Sequence, residues 1–159
     1  MVWAMKQIRL IWVGKTKEPW LVAGLAEYLG RLKAFTKLDL VELKPSLKKD
    51  PKQAVAEEAE RILAALEPGW PLWVLTEEGQ GLGSGDLAKR LEAGALAGQS
   101  RLQLVIGGAW GLGPEVKAHS DFKLSLSKMT FTHQMTRLFL LEQLYRAFTI
   151  LAGQPYHNA

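Results

Sequence analysis

The chain reads as one α/β domain built on a mainly parallel sheet, and three observations predict this. Strand-length apolar segments alternate with helix-spaced segments along the whole length. Several of those strands are short and almost continuously apolar, as strands buried on both faces are. No repeat, low-complexity tract or linker divides the 159 residues, a length that supports one domain with a substantial core.

The elements follow in order. Ile8 to Val13 is a short apolar strand closed by Gly14. Pro19 opens a helix with Trp20, Leu21, Leu25, Tyr28, Leu29 and Leu32 at helical spacing. Leu38 to Leu43 alternates apolar and charged residues, the pattern of a half-exposed strand. Lys44 to Lys52 reads as a polar loop, and Gln53 to Leu66 as a helix stopped before Pro68-Gly69. Pro71 to Leu75 is a buried strand that empties into a glycine-rich loop, Thr76 to Gly85. A helix from Asp86 to Ala95 follows, with Ser84 as its expected cap. Leu102 to Ile106 is a strand, Pro114 to His119 a short helix begun by proline, and Phe122 to Leu126 a strand. The last helix runs from about His133 to Leu151.

Composition narrows the function. Apolar content of 48% and charged content of 23% are ordinary for a soluble globular protein. Cysteine is absent, which removes disulfide scaffolds and thiolate metal sites, and His119, His133 and His157 lack ligand spacing. Neither a resident metal nor a membrane span is expected. The start lacks a signal-peptide layout, and the segment before Met5 reads as an upstream start, so a cytoplasmic location is the default. The net charge is +4. Basic residues concentrate in positions 1–52, where eleven Lys/Arg face five acids, whereas 53–159 holds nine against eleven. A basic half suits an anionic partner such as RNA, and equally a solvated lysine-rich surface.

In parallel sheets, ligands bind where the carboxyl ends of strands meet loops. Three strand ends here carry glycine or small polar loops: after Leu75, after Ile106 and after Leu126. A dinucleotide fingerprint needs G-x-G-x-x-G directly after a strand. The glycines at 107, 108, 111 and 113, and those at 79, 81, 83 and 85, miss that spacing, and no G-K-[ST] follows either set. Gly107-Gly108 then serves either a tight turn or close approach of the backbone to a ligand. Trp110 can stack on a base or be partly buried. Ser127 to Thr132 offers small polar groups that bind a purine edge or cap the next helix. The final helix is apolar on more than one face (Leu138, Leu141, Leu144, Tyr145, Phe148 and Leu151, with Phe139, Leu140, Ala147 and Ile150), which asks for two buried surfaces. One is the sheet; the other is a partner subunit or the monomer's own interior. Glu142 and Arg146 stand four apart in the favourable order. The chain ends on Pro155, Tyr156 and His157, residues suited to burial, anion contact and proton transfer.

Taken in order, Val-Gly-Lys (13–15), Glu27-Tyr28-Leu29, Leu-Val-Ile-Gly-Gly-Ala-Trp-Gly-Leu (104–112), Leu-Ser-Leu-Ser-Lys-Met-Thr (124–130), His133 with Arg137, Glu-Gln-Leu-Tyr-Arg-Ala (142–147) and Pro-Tyr-His (155–157) resemble one family. It is the ribosomal large subunit methyltransferase H family, the 23S rRNA (pseudouridine-N3)-methyltransferases of the SPOUT class. The resemblance covers essentially the whole chain. It implies a single SPOUT domain over residues 1–159, a C-terminal trefoil knot that forms the S-adenosylmethionine site, and a homodimer. It implies methyl transfer to N3 of a pseudouridine in 23S rRNA of the assembled 70S ribosome, rather than a non-catalytic RNA-binding module. Cofactor contacts are implied at Leu75, Gly108, Ser127, Lys128, Met129, Thr130, Phe131 and Thr132. His157 and Tyr156 are expected to close over that pocket, to position the nucleotide and to assist proton loss. Arg146 and Arg137 are expected to support the site or the RNA. The family's basic residue after Pro-Tyr-His is replaced here by Asn158; either that basic residue's RNA contact is dispensable, or another cation, Lys15 or Lys128, substitutes.

Overall fold

The computed structural model describes residues 5–158; the segment before Met5, read above as an upstream start, and Ala159 lie outside the described residues. The elements are β1 (Gln7–Val13), α1 (Pro19–Leu32), β2 (Lys37–Leu43), α2 (Pro51–Ala65), β3 (Leu72–Gly81), α3 (Ser84–Leu96), β4 (Arg101–Ile106), α4 (Pro114–His119), β5 (Phe122–Ser125) and α5 (His133–Leu151). The strands form one five-stranded sheet in the order β2-β1-β4-β3-β5, every pair parallel. Each strand after β1 is reached through a helix-containing crossover, as parallel pairing requires.

Alternation along the central strands sorts side chains onto two helical layers. Leu10, Trp12, Leu104, Ile106, Trp73 and Leu75 point to a core shared with α1, α3 and α5. Ile11, Val13, Val105, Leu72 and Val74 point to a smaller core with Ala59 and Ile62 of α2 and Val116 of α4. β1 and β4 are buried on both faces, which is why they read as largely apolar runs, interrupted only by Arg9 and Gln103 within them. β2 is an edge strand and keeps the alternating pattern.

Three boundaries differ from the sequence expectation. α2 starts at Pro51, because Asp50 caps it by accepting from the Gln53 amide at 3.0 Å and proline fits the first helical position. Ser84 is not a cap: it is the first residue of α3, and its hydroxyl donates to Gln143 Oε1 at 2.6 Å. Asp86 accepts from the Gly83 amide instead. The expected loop after Leu75 is instead a continuation of β3, with a register shift against β5 between Leu75 and Gln80. Gly79 permits it: a Cβ there would stand 2.7 Å from the Lys123 and Leu124 backbone.

α5 lies on the sheet between α1 and α3, with Leu140, Leu141, Leu144, Ala147 and Phe148 fully buried. The second apolar surface that suggested a partner subunit is therefore covered largely within the chain. Phe139 is the exception on this helix, 39% exposed and in ring contact with Phe131 at 4.8 Å.

Candidate functional site

The carboxyl ends of β3, β4 and β5 and the start of α5 enclose a cavity of about 760 Å³. All three anticipated loops meet there: Leu75 to Glu78, Ile106 to Leu112, and Leu124 to Thr132 apart from Lys128. The β4 loop is a tight turn, with the Gly111 amide donating to Gly108 O at 3.0 Å and Gly111 at φ +83°. A Cβ on Gly107 would stand 2.8 Å from Gly111 C and O, and one on Gly108 would stand 2.9 Å from Glu58 Oε1. The glycines thus let the loop fold against itself and against α2, and its backbone forms one cavity wall. Trp110, 62% exposed, and Met129, 76% exposed, stand on the cavity lining with free faces.

The β5 loop is ordered by its own small side chains. Ser125 Oγ donates to Ser127 O at 2.9 Å, and Ser127 Oγ accepts from the Met129 amide at 3.0 Å. Thr132 then caps α5, accepting from the Met135 amide at 3.2 Å. Of the eight residues expected at a cofactor, seven line the cavity; Lys128 is exposed and does not. Lys117, His133 and Thr136 also line it and were not anticipated there. Their positions follow from where strands stop and α5 begins, which no local pattern encodes.

The cavity's size matches small-molecule sites, as does its mix of apolar walls (Leu75, Ile106, Leu112, Leu124, Leu126) with a few hydroxyls and exposed backbone. Of the two carboxylates on its rim, Glu78 is paired with Lys117 at 2.8 Å, while among the described residues Glu77 makes no ion pair. A ligand with an aromatic ring and a positive charge fits such a lining. His133 is held below its ordinary pKa by burial, with Arg137 and Lys17 adding to the effect, so it lines the cavity as a neutral imidazole.

Arg137 does not reach RNA. It is fully buried and donates to Val13 O at 2.7 Å and Thr16 Oγ1 at 2.9 Å, with its guanidinium 4.9 Å from the Trp12 ring centroid. No carboxylate among the described residues pairs with it, and burial lowers its pKa to about 10. It ties the loop after β1 to α5, one turn from the cavity-lining His133.

The tail does not close over the cavity of its own chain. Tyr156, His157 and Arg146 are absent from the lining, and Arg146 lies ten residues beyond Thr136 along α5, about 15 Å at the helical rise. Instead they form a second polar cluster on α1 and α5. Glu142 Oε1 accepts from Arg146 Nε at 3.1 Å, Arg146 Nη2 at 2.5 Å and the Tyr156 hydroxyl at 3.0 Å. The Tyr28 and Tyr156 hydroxyls are 3.1 Å apart, and Arg146 Nη1 lies 3.1 Å from His157 Nδ1. Tyr145 packs edge-on against Tyr156, and the Arg146 guanidinium lies over the same ring. Burial and these hydrogen bonds push the Tyr156 phenol well above its ordinary pKa, so it stays protonated. The Tyr156 hydroxyl is held between Glu142 and Tyr28. Glu142 as the hub was foreshadowed by its spacing from Arg146; Tyr28 was not.

No helix among the described residues is long and apolar enough to cross a membrane, and they contain no cluster of three potential metal ligands. The family model described as "Predicted SPOUT methyltransferase" matches residues 5–157. The chain is 43% identical over 157 residues to ribosomal RNA large subunit methyltransferase H of Geotalea daltonii, covering 96% of this chain and 99% of that one. It is 43% identical over 158 residues to the protein of the same name from Acetivibrio thermocellus, with the same coverage. A solved structure of a probable methyltransferase from Bordetella pertussis Tohama I shares the fold at TM-score 0.58 and 17% identity, over 92% of this chain and 99% of that chain. Parallel sheet, glycine-turn cavity and whole-length likeness agree: this chain belongs to the SPOUT methyltransferases and, within them, to the ribosomal RNA large subunit methyltransferase H family.

Proposed function

We propose that this methyltransferase works as a homodimer that methylates N3 of a pseudouridine in 23S rRNA of the assembled ribosome, with S-adenosylmethionine as donor in the cavity. The carrying observation is the convergence of the Leu75–Glu78 stretch of β3 and the loops after β4 and β5 on one cavity of about 760 Å³ lined by Leu75, Gly108, Ser127 and Met129 to Thr132. The cofactor supplies a methyl group on a sulfonium, activated for transfer. Loop backbones and hydroxyls would hold its adenosine and amino-acid parts, and Glu77 is the rim carboxylate free to face its charge. A trefoil knot formed by the C-terminal segment belongs to this reading, supported by membership of the family.

The separation of the tail cluster from its own cavity favours a site shared between subunits. The Tyr28–Glu142–Arg146–Tyr156–His157 cluster of one subunit would face the cavity of the other, so the dimer, not the single chain, completes the site. The loop from Lys44 to Asp50 lies at the same carboxyl edge of the sheet, with its Lys44, Lys48 and Lys49, and Lys52 in the first turn of α2, exposed. These ammonium groups suit rRNA phosphates, with Lys15 after β1 adding to them.

The test is transfer of labelled methyl from S-adenosylmethionine to 70S ribosomes lacking the modification, with the acceptor nucleotide mapped. A label on N3 of one 23S pseudouridine is expected. Donor binding by calorimetry with no transfer to any rRNA would refute the substrate, and a monomer in solution would refute the shared site.

A further inference from the structure

The tail cluster fixes which nitrogen of His157 carries the proton. A guanidinium has five N–H donors and no acceptor. With Arg146 Nη1 and His157 Nδ1 3.1 Å apart, the imidazole nitrogen must be the acceptor. A neutral His157 therefore holds its proton on Nε2. The arginine cannot turn away to release Nδ1, because Glu142 Oε1 already holds its Nε and Nη2 at 3.1 and 2.5 Å, leaving Nη1 for the histidine. Glu142 itself is fixed from the other side. The Tyr156 hydroxyl donates to it at 3.0 Å, and the Tyr28 hydroxyl, 3.1 Å from that of Tyr156, is left to donate in turn. The hydrogen bonds thus run in one sense toward the carboxylate, then outward from Arg146 to the histidine.

We propose that His157 serves the target base as a hydrogen-bond donor through Nε2–H, and not as the base that removes its proton, with Glu142 and Arg146 as the positioning residues that set this tautomer. The proposal rests on the reading that the tail meets the nucleotide. On that reading N3 sits between two ring carbonyls. Its N–H bond breaks with the proton passing to water, and the electron pair stays on the ring, spread over N3 and those two oxygens. That pair forms the N3–CH3 bond as the methyl–sulfur bond breaks, and the old bond's electrons stay on sulfur, turning the sulfonium into a neutral thioether. Charge develops on the carbonyl oxygens during the first of these changes, and a fixed N–H aimed at one of them stabilises it, as donors do for an oxyanion. A base at His157 would need a free nitrogen lone pair facing the substrate. The only one it has faces Arg146.

The discriminating measurement is the histidine side-chain nitrogen spectrum of the full-length dimer. Among His119, His133 and His157, the last is assigned by loss of its signals in His157→Gln. Neutral His157 is expected to show a protonated Nε2 and an unprotonated Nδ1, and Glu142→Gln to shift that tautomer balance while the fold is retained. In single-turnover methylation of ribosomes, His157→Ala is expected to lose on the order of a hundredfold in rate, the usual effect of removing one such donor. His157→Gln, whose amide can donate but cannot take a proton at neutral pH, is expected to recover much of that loss. A protonated Nδ1 in the neutral form overturns the proposal, as does a His157→Gln rate no better than that of His157→Ala. If the wild-type dimer shows the Nε2 tautomer but transfers no methyl to ribosomes, the substrate reading fails and the tautomer assignment stands.

Discussion

Gly107→Ala tests how the cavity wall is built. A Cβ at this position would lie 2.8 Å from Gly111 C and O, and 3.0 Å from Leu112 Cδ2. Ordinary contact begins several tenths of an ångström further out, and two of the three obstructing atoms are backbone of the loop's own turn. Neither can move while the Gly111 amide keeps its 3.0 Å bond to Gly108 O. The added methyl must open that turn, at a cost typical of overpacking, about 1–3 kcal/mol. For a domain of this size that is a fall in Tm of roughly 2–4 °C per kcal/mol. The loop Gly107 to Leu112 is cavity wall, so affinity for S-adenosylmethionine should fall with stability, by roughly two- to tenfold if half of that strain appears in the bound state. Differential scanning at fixed protein concentration, with and without the donor, reads both effects. Gly85→Ala is the control: nothing lies within 4 Å of its Cβ, and it sits inside α3, so it should be neutral or stabilise by up to about 1 kcal/mol. An unchanged Tm and unchanged donor affinity in Gly107→Ala would show that the turn is not held as described.

Two further outcomes follow from the buried charges near the cavity. Arg137→Lys leaves a single ammonium where a planar fork now reaches both Val13 O and Thr16 Oγ1, so chemical denaturation should show a loss of about 1–3 kcal/mol; intact stability with weakened ribosome binding would instead restore an RNA contact. His133 is held below its ordinary value of 6.5 in the folded chain. The unfolded chain therefore takes up this proton first, and the histidine's contribution to stability is complete above about pH 6.5 and declines as pH falls through and below it. The wild type should lose more stability than His133→Gln between pH 7 and pH 5 in parallel unfolding curves, and identical curves would contradict the shift.

Much of the fold was legible because the signals are local. β1 and β4 are largely apolar runs, and β2 alternates. α4 begins at its proline and ends at His119 as its pattern indicates. Failures came where a tertiary contact decides. Glu77 to Gly81 is polar and glycine-rich, so it reads as a loop; it becomes strand because β5 pairs with it and Gly79 admits the close approach. Ser84 reads as a cap, yet Gln143, distant in sequence, takes its hydroxyl. The wide apolar surface of α5 leaves a partner subunit and the chain's own interior both open, and only the packing of α1 and α3 shows how much of it the chain covers itself.

The same division runs through the site. Residue types and their order were enough to mark the strand ends after Leu75, Ile106 and Leu126 and to identify the family, because glycine turns, small polar loops and strand ends are properties of neighbouring residues; the expected cofactor contacts at Leu75, Gly108 and Ser127 to Thr132 came from the family resemblance. Only the tertiary structure decided that these segments share one cavity, that Arg137 is an internal clamp, and that Tyr156 and His157 pack on Glu142 and Arg146 instead of on their own chain's cavity. The physical reason is directional. A hydrogen bond's partner and a proton's place on an imidazole depend on where two side chains meet in space, and residues as far apart as Tyr28 and Tyr156 meet only after the sheet has brought α1 and α5 together.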